Sequence, residues 1–133
     1  MNRLIAAAAI LPALLATSAF AQTVSDEVNM QLWCGTAMVV VFSNAPPDAT
    51  PDQLEQAKAF IDAGNALIEI AVQGHLDAGF TQEATDKIKA DIVLVVTPQV
   101  MGNGDDAPYS FEDCQAILPG MESGAETSSS SAP

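Results

Sequence analysis

Residues 50–79 read TPDQLEQAKAFIDAGNALIEIAVQGHLDAG, and this stretch decides the fold class. Thr50 stands before Pro51, with Asp52 next and Gln53 at the third helical position. That order gives a threonine cap, a proline at the first helical position, an acid in the first turn and a capping box. Leu54, Ala57, Ile61, Gly64, Ile68, Ala71 and His75 then recur at alternating steps of three and four. This is the seam of an amphipathic helix, widened on one side by Phe60 and Leu67. Gly64 in the middle of the seam allows a neighbouring helix to approach closely. Gly79 supplies the stop, because a glycine just past a helix end adopts the left-handed conformation freely.

On either side the same grammar repeats. Thr23 or Ser25 can cap a first helix over about 26–42, with Asp26 and Glu27 in its opening turn. Met30, Trp33, Cys34, Ala37, Met38, Val41 and Phe42 hold its apolar positions. Pro46-Pro47 breaks the chain before the long helix. Phe80 is a turn residue expected to face inward, and Thr81 caps a third helix with Ala84, Ile88, Ile92 and Val95 on its stripe. Pro98 is expected to kink or end that helix. Residues 36–43 and 92–97 are rich in valine and isoleucine, so periodicity alone leaves helix and strand open there. Ser110 caps a short last helix from Phe111 to Leu118, stopped by Pro119-Gly120. The expectation is an all-α domain over 22–119: a small four-helix bundle with a short last helix.

The ends of the chain read differently. Met1-Asn2-Arg3 is basic, Leu4 to Leu15 is apolar, and Ala19-Phe20-Ala21 fits the small-x-small rule of signal peptidase, so residues 1–21 read as a cleaved Sec-type signal peptide. The apolar run is about 12 residues, short of the ~20 a spanning helix needs, so no stable membrane anchor is expected after cleavage. Cys34 is too far downstream for lipidation. Residues 120–133, with serines at 128–131, read as a disordered Ser-rich tail. The implied address is the bacterial periplasm or the medium.

That address gives the two cysteines a meaning. Cys34 and Cys114 are the only pair in the chain, and an oxidising compartment predicts a disulfide between them that closes the bundle end to end. The chain-entropy argument puts its worth at roughly 4–5 kcal/mol as an upper guide.

Charge narrows the partners. The chain carries four basic and 17 acidic residues, a formal net charge of −13. Without residues 1–21 only Lys58, Lys87 and Lys89 remain against the same 17 acids, a formal −14. Such a surface repels nucleic acid and anionic membranes.

Residues with chemistry are few. His75, the single histidine, reads either as a proton switch near a helix C-terminus or as a helix-end residue satisfying free carbonyls. Trp33 reads either as an aromatic contact for a partner or as packing around the disulfide, and the phenylalanines at 42, 60, 80 and 111 read as core. Glu69 sits between Ile68 and Ile70, one position off the seam, and is expected to face water. Asn103, Asp105 and Asp106 offer oxygen ligands, but counting from Asn103 puts Pro108 and Cys114 where an EF-hand needs glycine and glutamate. They remain a candidate for a non-EF calcium site, set against an ordinary turn. Hydrolase and zinc-protease motifs are missing, so neither catalysis nor a cofactor is expected.

The expectation for function is an exported, non-catalytic acidic protein that acts through contacts with an unspecified protein partner. In size, compartment and possession of one cysteine pair the chain is similar in general form to the small acid-activated periplasmic chaperones. Its cysteine spacing is wider than that family leads one to expect. The likeness implies a role as an acid- or envelope-stress chaperone; a small-ligand binder is the third reading.

Overall fold

The computed structural model describes residues 22–102 and 105–120. The expected signal peptide and Ser-rich tail lie outside these residues, apart from Gly120. Four helices form in chain order: α1 (Asp26–Ser43), α2 (Pro51–Asp77), α3 (Gln82–Met101) and α4 (Phe111–Ala116). No strand occurs among the described residues.

Each helix begins where its cap stands. Ser25, not Thr23, caps α1 by accepting from the Val28 amide. Thr50 and Gln53 close the reciprocal box on α2, the Thr50 amide donating to Gln53 Oε1 at 2.8 Å and the Gln53 amide to Thr50 Oγ1 at 3.3 Å. Thr81 caps α3, and Ser110 caps α4.

Both valine-rich segments are helical, because each continues a long capped helix, whose cooperativity overrides the β preference of single residues. Pro98 does not end α3, which runs on to Met101. The proline deprives the Leu94 carbonyl of its usual amide, but Leu94 and Pro98 share the exposed outer face of the helix, where water replaces the lost donor.

α1 is the hub. It packs most extensively on α2, then on α3, and is the helix against which the backbone of α4 lies, while α2 and α3 barely meet. Leu32 to Met38 are therefore buried all round the α1 axis rather than on one face. Val41, expected inside, is 39% exposed, while Phe42 beside it is half-buried.

The α1–α2 crossing is a backbone contact. A Cβ built on Gly35 would stand 2.6 Å from the Gly64 carbonyl oxygen, and one on Gly64 would stand 2.8 Å from that of Gly35. The seam of α2 is rotated from its expected centre: Phe60, Ala63 and Leu67 are buried with Ala57, Gly64, Ala71 and His75, whereas Ile61 and Ile68 are half-buried and Leu54 is exposed. Helix α3 is rotated likewise. Thr85 and Val96 take the inward positions, and Val95 is 51% exposed. Thr85 tolerates burial by donating its hydroxyl to the Thr81 carbonyl at 3.0 Å.

Cys34 and Cys114 form the disulfide, with Cα atoms 5.1 Å apart and a sequence separation of 80. Both are essentially inaccessible. The bond joins the middle of α1 to α4 and places α4 across the side of α1.

Candidate functional site

The disulfide brings three distant parts of the sequence to one place. Trp33 from α1, Gln99 from the end of α3 and Tyr109 from the turn before α4 meet beside it. The Trp33 indole Nε1 donates to Gln99 Oε1 at 2.8 Å, and Gln99 Nε2 donates to the Asp106 carbonyl at 3.0 Å. One glutamine thus ties α1 to the connection that leads into α4. Trp33 and Tyr109 meet edge to face with ring centroids 5.6 Å apart.

These residues form the wall of an open cleft of about 290 Å³, completed by Ala37, Met38, Val41, Val100, Ala107, Ser110, Phe111 and Cys114. Its lining is mostly apolar. A second cleft of about 300 Å³ lies on the other side of Val41, among Phe42, Pro46, Ala49 and Ala57. Between the two, Phe42 and Phe60 stack at 4.3 Å with nearly parallel rings, and Phe111 tilts against both at 6.3 and 5.9 Å. Phe111 is not the core residue expected: it is 53% exposed and forms the rim of the first cleft.

The lip of this cleft rests on one carboxylate. The Ser110 amide donates to Asp113 Oδ2 at 3.0 Å and its hydroxyl donates to the same oxygen at 2.6 Å, while the Asp113 amide donates back to Ser110 Oγ at 3.1 Å. The Ser110 hydroxyl, then its amide, hold the Asp113 carboxyl below its ordinary value of 3.8.

His75 lies elsewhere and is structural. At the end of α2 the Phe80 amide donates to the His75 carbonyl at 3.1 Å and the Gly79 amide to that of Leu76 at 2.9 Å, with Gly79 at φ +90°. This is a Schellman motif, and its usual hydrophobic contact is made here by the His75 and Phe80 rings, 5.4 Å apart. His75 is buried, and its Nδ1 stands 2.7 Å from the Ala71 carbonyl. A carbonyl only accepts, so Nδ1 carries the proton. The carbonyl satisfied is one turn back within the helix, rather than one of the free ones at its end.

The other candidates separate. Glu69 is exposed, and so are Asp105 and Asp106, which lie in a turn; Asn103 falls outside the described residues. No group of three histidine, cysteine or acidic side chains among the described residues is arranged to hold a metal ion. No helix of the described residues is long and apolar enough to cross a membrane.

Of the cleft, Trp33 and Cys114 stand out in the sequence; Gln99 and Tyr109 do not. Tyr109 has one local signal. It directly precedes the Ser110 cap, where a hydrophobic side chain commonly packs toward the fourth helical residue, here Cys114. Gln99 has none, because its role depends on the tertiary meeting of α1 and α3.

No protein-family model matches the chain, and neither the curated proteins nor the solved structures contain a match to it.

Proposed function

We propose that this is an exported, non-catalytic acidic protein of the bacterial envelope that works by docking another protein against the cleft beside Trp33. The observation that carries the reading is the cleft itself, open and apolar, with Val41 and Phe111 left in water at its edge. Large apolar side chains kept exposed at a concave site favour a partner's side chains over solvent. Most polar groups there are committed: Trp33 bonds to Gln99, Gln99 in turn to the Asp106 carbonyl, and Ser110 caps α4. An open groove with few uncommitted polar groups suits a polypeptide surface better than a small ligand, which calls for enclosure and convergent polar contacts.

The test is a photo-crosslinking side chain placed at position 111 of the full-length exported protein in its own envelope, with the same group at Glu69 on the exposed side of α2 as reference. A discrete adduct from position 111 that is missing from position 69 is expected. Equal adducts from both positions, or none from 111, would contradict the reading.

The acid-stress chaperone is a second reading, and the Asp113 cap favours it. Protonating that carboxylate weakens its half of the capping box, the bonds it accepts from Ser110, and so loosens one wall of the cleft. It requires the acidified protein to suppress client aggregation, and a substitution of Asp113 by asparagine to shift the pH at which suppression begins. Suppression of equal strength at pH 7, or none in acid, would count against it.

A further inference from the structure

The chemistry of the partner can be read from what surrounds the cleft, granting the docking role proposed above. From residue 90 to the end of the chain there is no lysine, arginine or histidine. Over the same stretch Asp105, Asp106, Glu112 and Asp113 are all exposed. Asp106 directly precedes Ala107 of the cleft wall, and Glu112 directly follows Phe111 of its rim. On the far side of Val41, Asp48 directly precedes Ala49 of the second cleft and is exposed too. Two of the three lysines past residue 21 are already engaged, Lys58 with Asp62 and Lys87 with Asp91. The apolar floor is therefore flanked in sequence by exposed acids, and no basic side chain lines either cleft among the described residues.

We infer that the two clefts joined at Val41 receive a basic amphipathic helix of another protein, its apolar side chains against Tyr109, Phe111 and Val41 and its lysines or arginines facing Asp105, Asp106 and Glu112. Two apolar depressions that share Val41 offer adjoining places for the anchors of a helix face, which repeat at three, four and seven residues. A second copy of this chain is the wrong occupant, because it brings the same acidic charge to the same place. The acids stay at the water-exposed rim, so they steer the encounter and select the sign of the partner without the cost of burying charge.

The experiment uses three 18-residue peptides of helical pattern that lack tryptophan: lysine with leucine, glutamate with leucine, and lysine with serine. Trp33 is the chain's single tryptophan, so its emission reports on the cleft, and a fluorescent label on each peptide gives affinity by anisotropy. The lysine–leucine peptide is expected to bind saturably and to change Trp33 emission. Its binding should weaken about tenfold or more between about 50 and 500 mM salt. The triple substitution D105K/D106K/E112K should weaken it by a similar factor with the helical circular dichroism unchanged. If the glutamate–leucine peptide binds equally well, or the triple variant binds like the parent, the basic partner is wrong while the cleft stands. If the lysine–serine peptide matches lysine–leucine, the attraction is charge alone and the amphipathic helix is wrong. If Phe111→Ser leaves lysine–leucine binding and the Trp33 change intact, the cleft itself is not the site and the docking role fails with it.

Discussion

Gly35 and Gly64 set how closely α1 and α2 pack. Each would place a new methyl carbon under 3 Å from the other's carbonyl oxygen, and a helix backbone cannot swing aside as a side chain does. Alanine at Gly64 gains about 1 kcal/mol of helix propensity but forces the two helices apart along their most extensive contact. Gly64→Ala should therefore lose about 2 kcal/mol net, read as a fall in the urea midpoint at constant slope; a more stable variant would mean that the helices can separate freely. The matched change at Gly74 should cost less, since its Cβ would meet Val28 side-chain atoms, which can rotate away. Gly64 was legible in the sequence because it sits on the seam of the long helix. Gly35 was not, because α1 is buried on every side over Leu32–Met38 and offers no single face from which to single it out. Trp33 shows the same limit: its type marks it as important, but its partners Gln99 and Tyr109 come from segments 66 and 76 residues away.

Capping chemistry is the part of the fold that sequence shows best, since each box lies within four residues. The threonine and serine caps at 50, 81 and 110 all stand where local pattern puts them. What local pattern misses is rotation about the helix axis, because a stripe of leucine and isoleucine does not reveal which neighbour it meets; hence Ile61 and Ile68 yield to Phe60 and Leu67. Among the elements α4 is the weakest, six residues long, its backbone set against α1 alone and reaching α2 through Phe111 on Phe60. Two devices retain it. Removing the disulfide with C34S/C114S should cost about 2–5 kcal/mol, seen as a lower urea midpoint, with α4 and the Trp33 environment perturbed first. The cap is the other device, and its pH dependence has a definite sign. The Asp113 carboxyl in the folded protein lies below its ordinary 3.8, so its contribution is present above that value and is lost as pH falls through the lower folded value. Trp33 emission should accordingly change in acid below about pH 3.8 while the bulk helical signal persists. Asp113→Asn keeps an acceptor for Ser110 but cannot titrate, and should remove that step; a step unchanged in this variant would assign it to another group.

At the scale of the molecule, charge opposes compactness rather than supporting it. The two ion pairs among the described residues are i,i+4 pairs with side chains more than half exposed, a class worth a few tenths of a kcal/mol at most after screening. Against them stands a formal charge of −13 over the chain, and −14 over residues 22–133. Cohesion comes instead from the packed interior around α1 and from the disulfide, neither of which depends on ionic strength. Salt shortens the reach of the repulsion, from about 30 Å at 0.01 M to about 3 Å at 1 M, while it takes little from pairs that contribute little. Sodium chloride should therefore raise the melting temperature at pH 7, by about 4–8 °C for each kcal/mol of repulsion relieved. A protein held together by its ion pairs would show the opposite slope. The same salt series separates folding from binding, since the screening that stabilises the domain should weaken its hold on a basic partner, and only repulsion within the chain combined with attraction across the cleft produces both trends together.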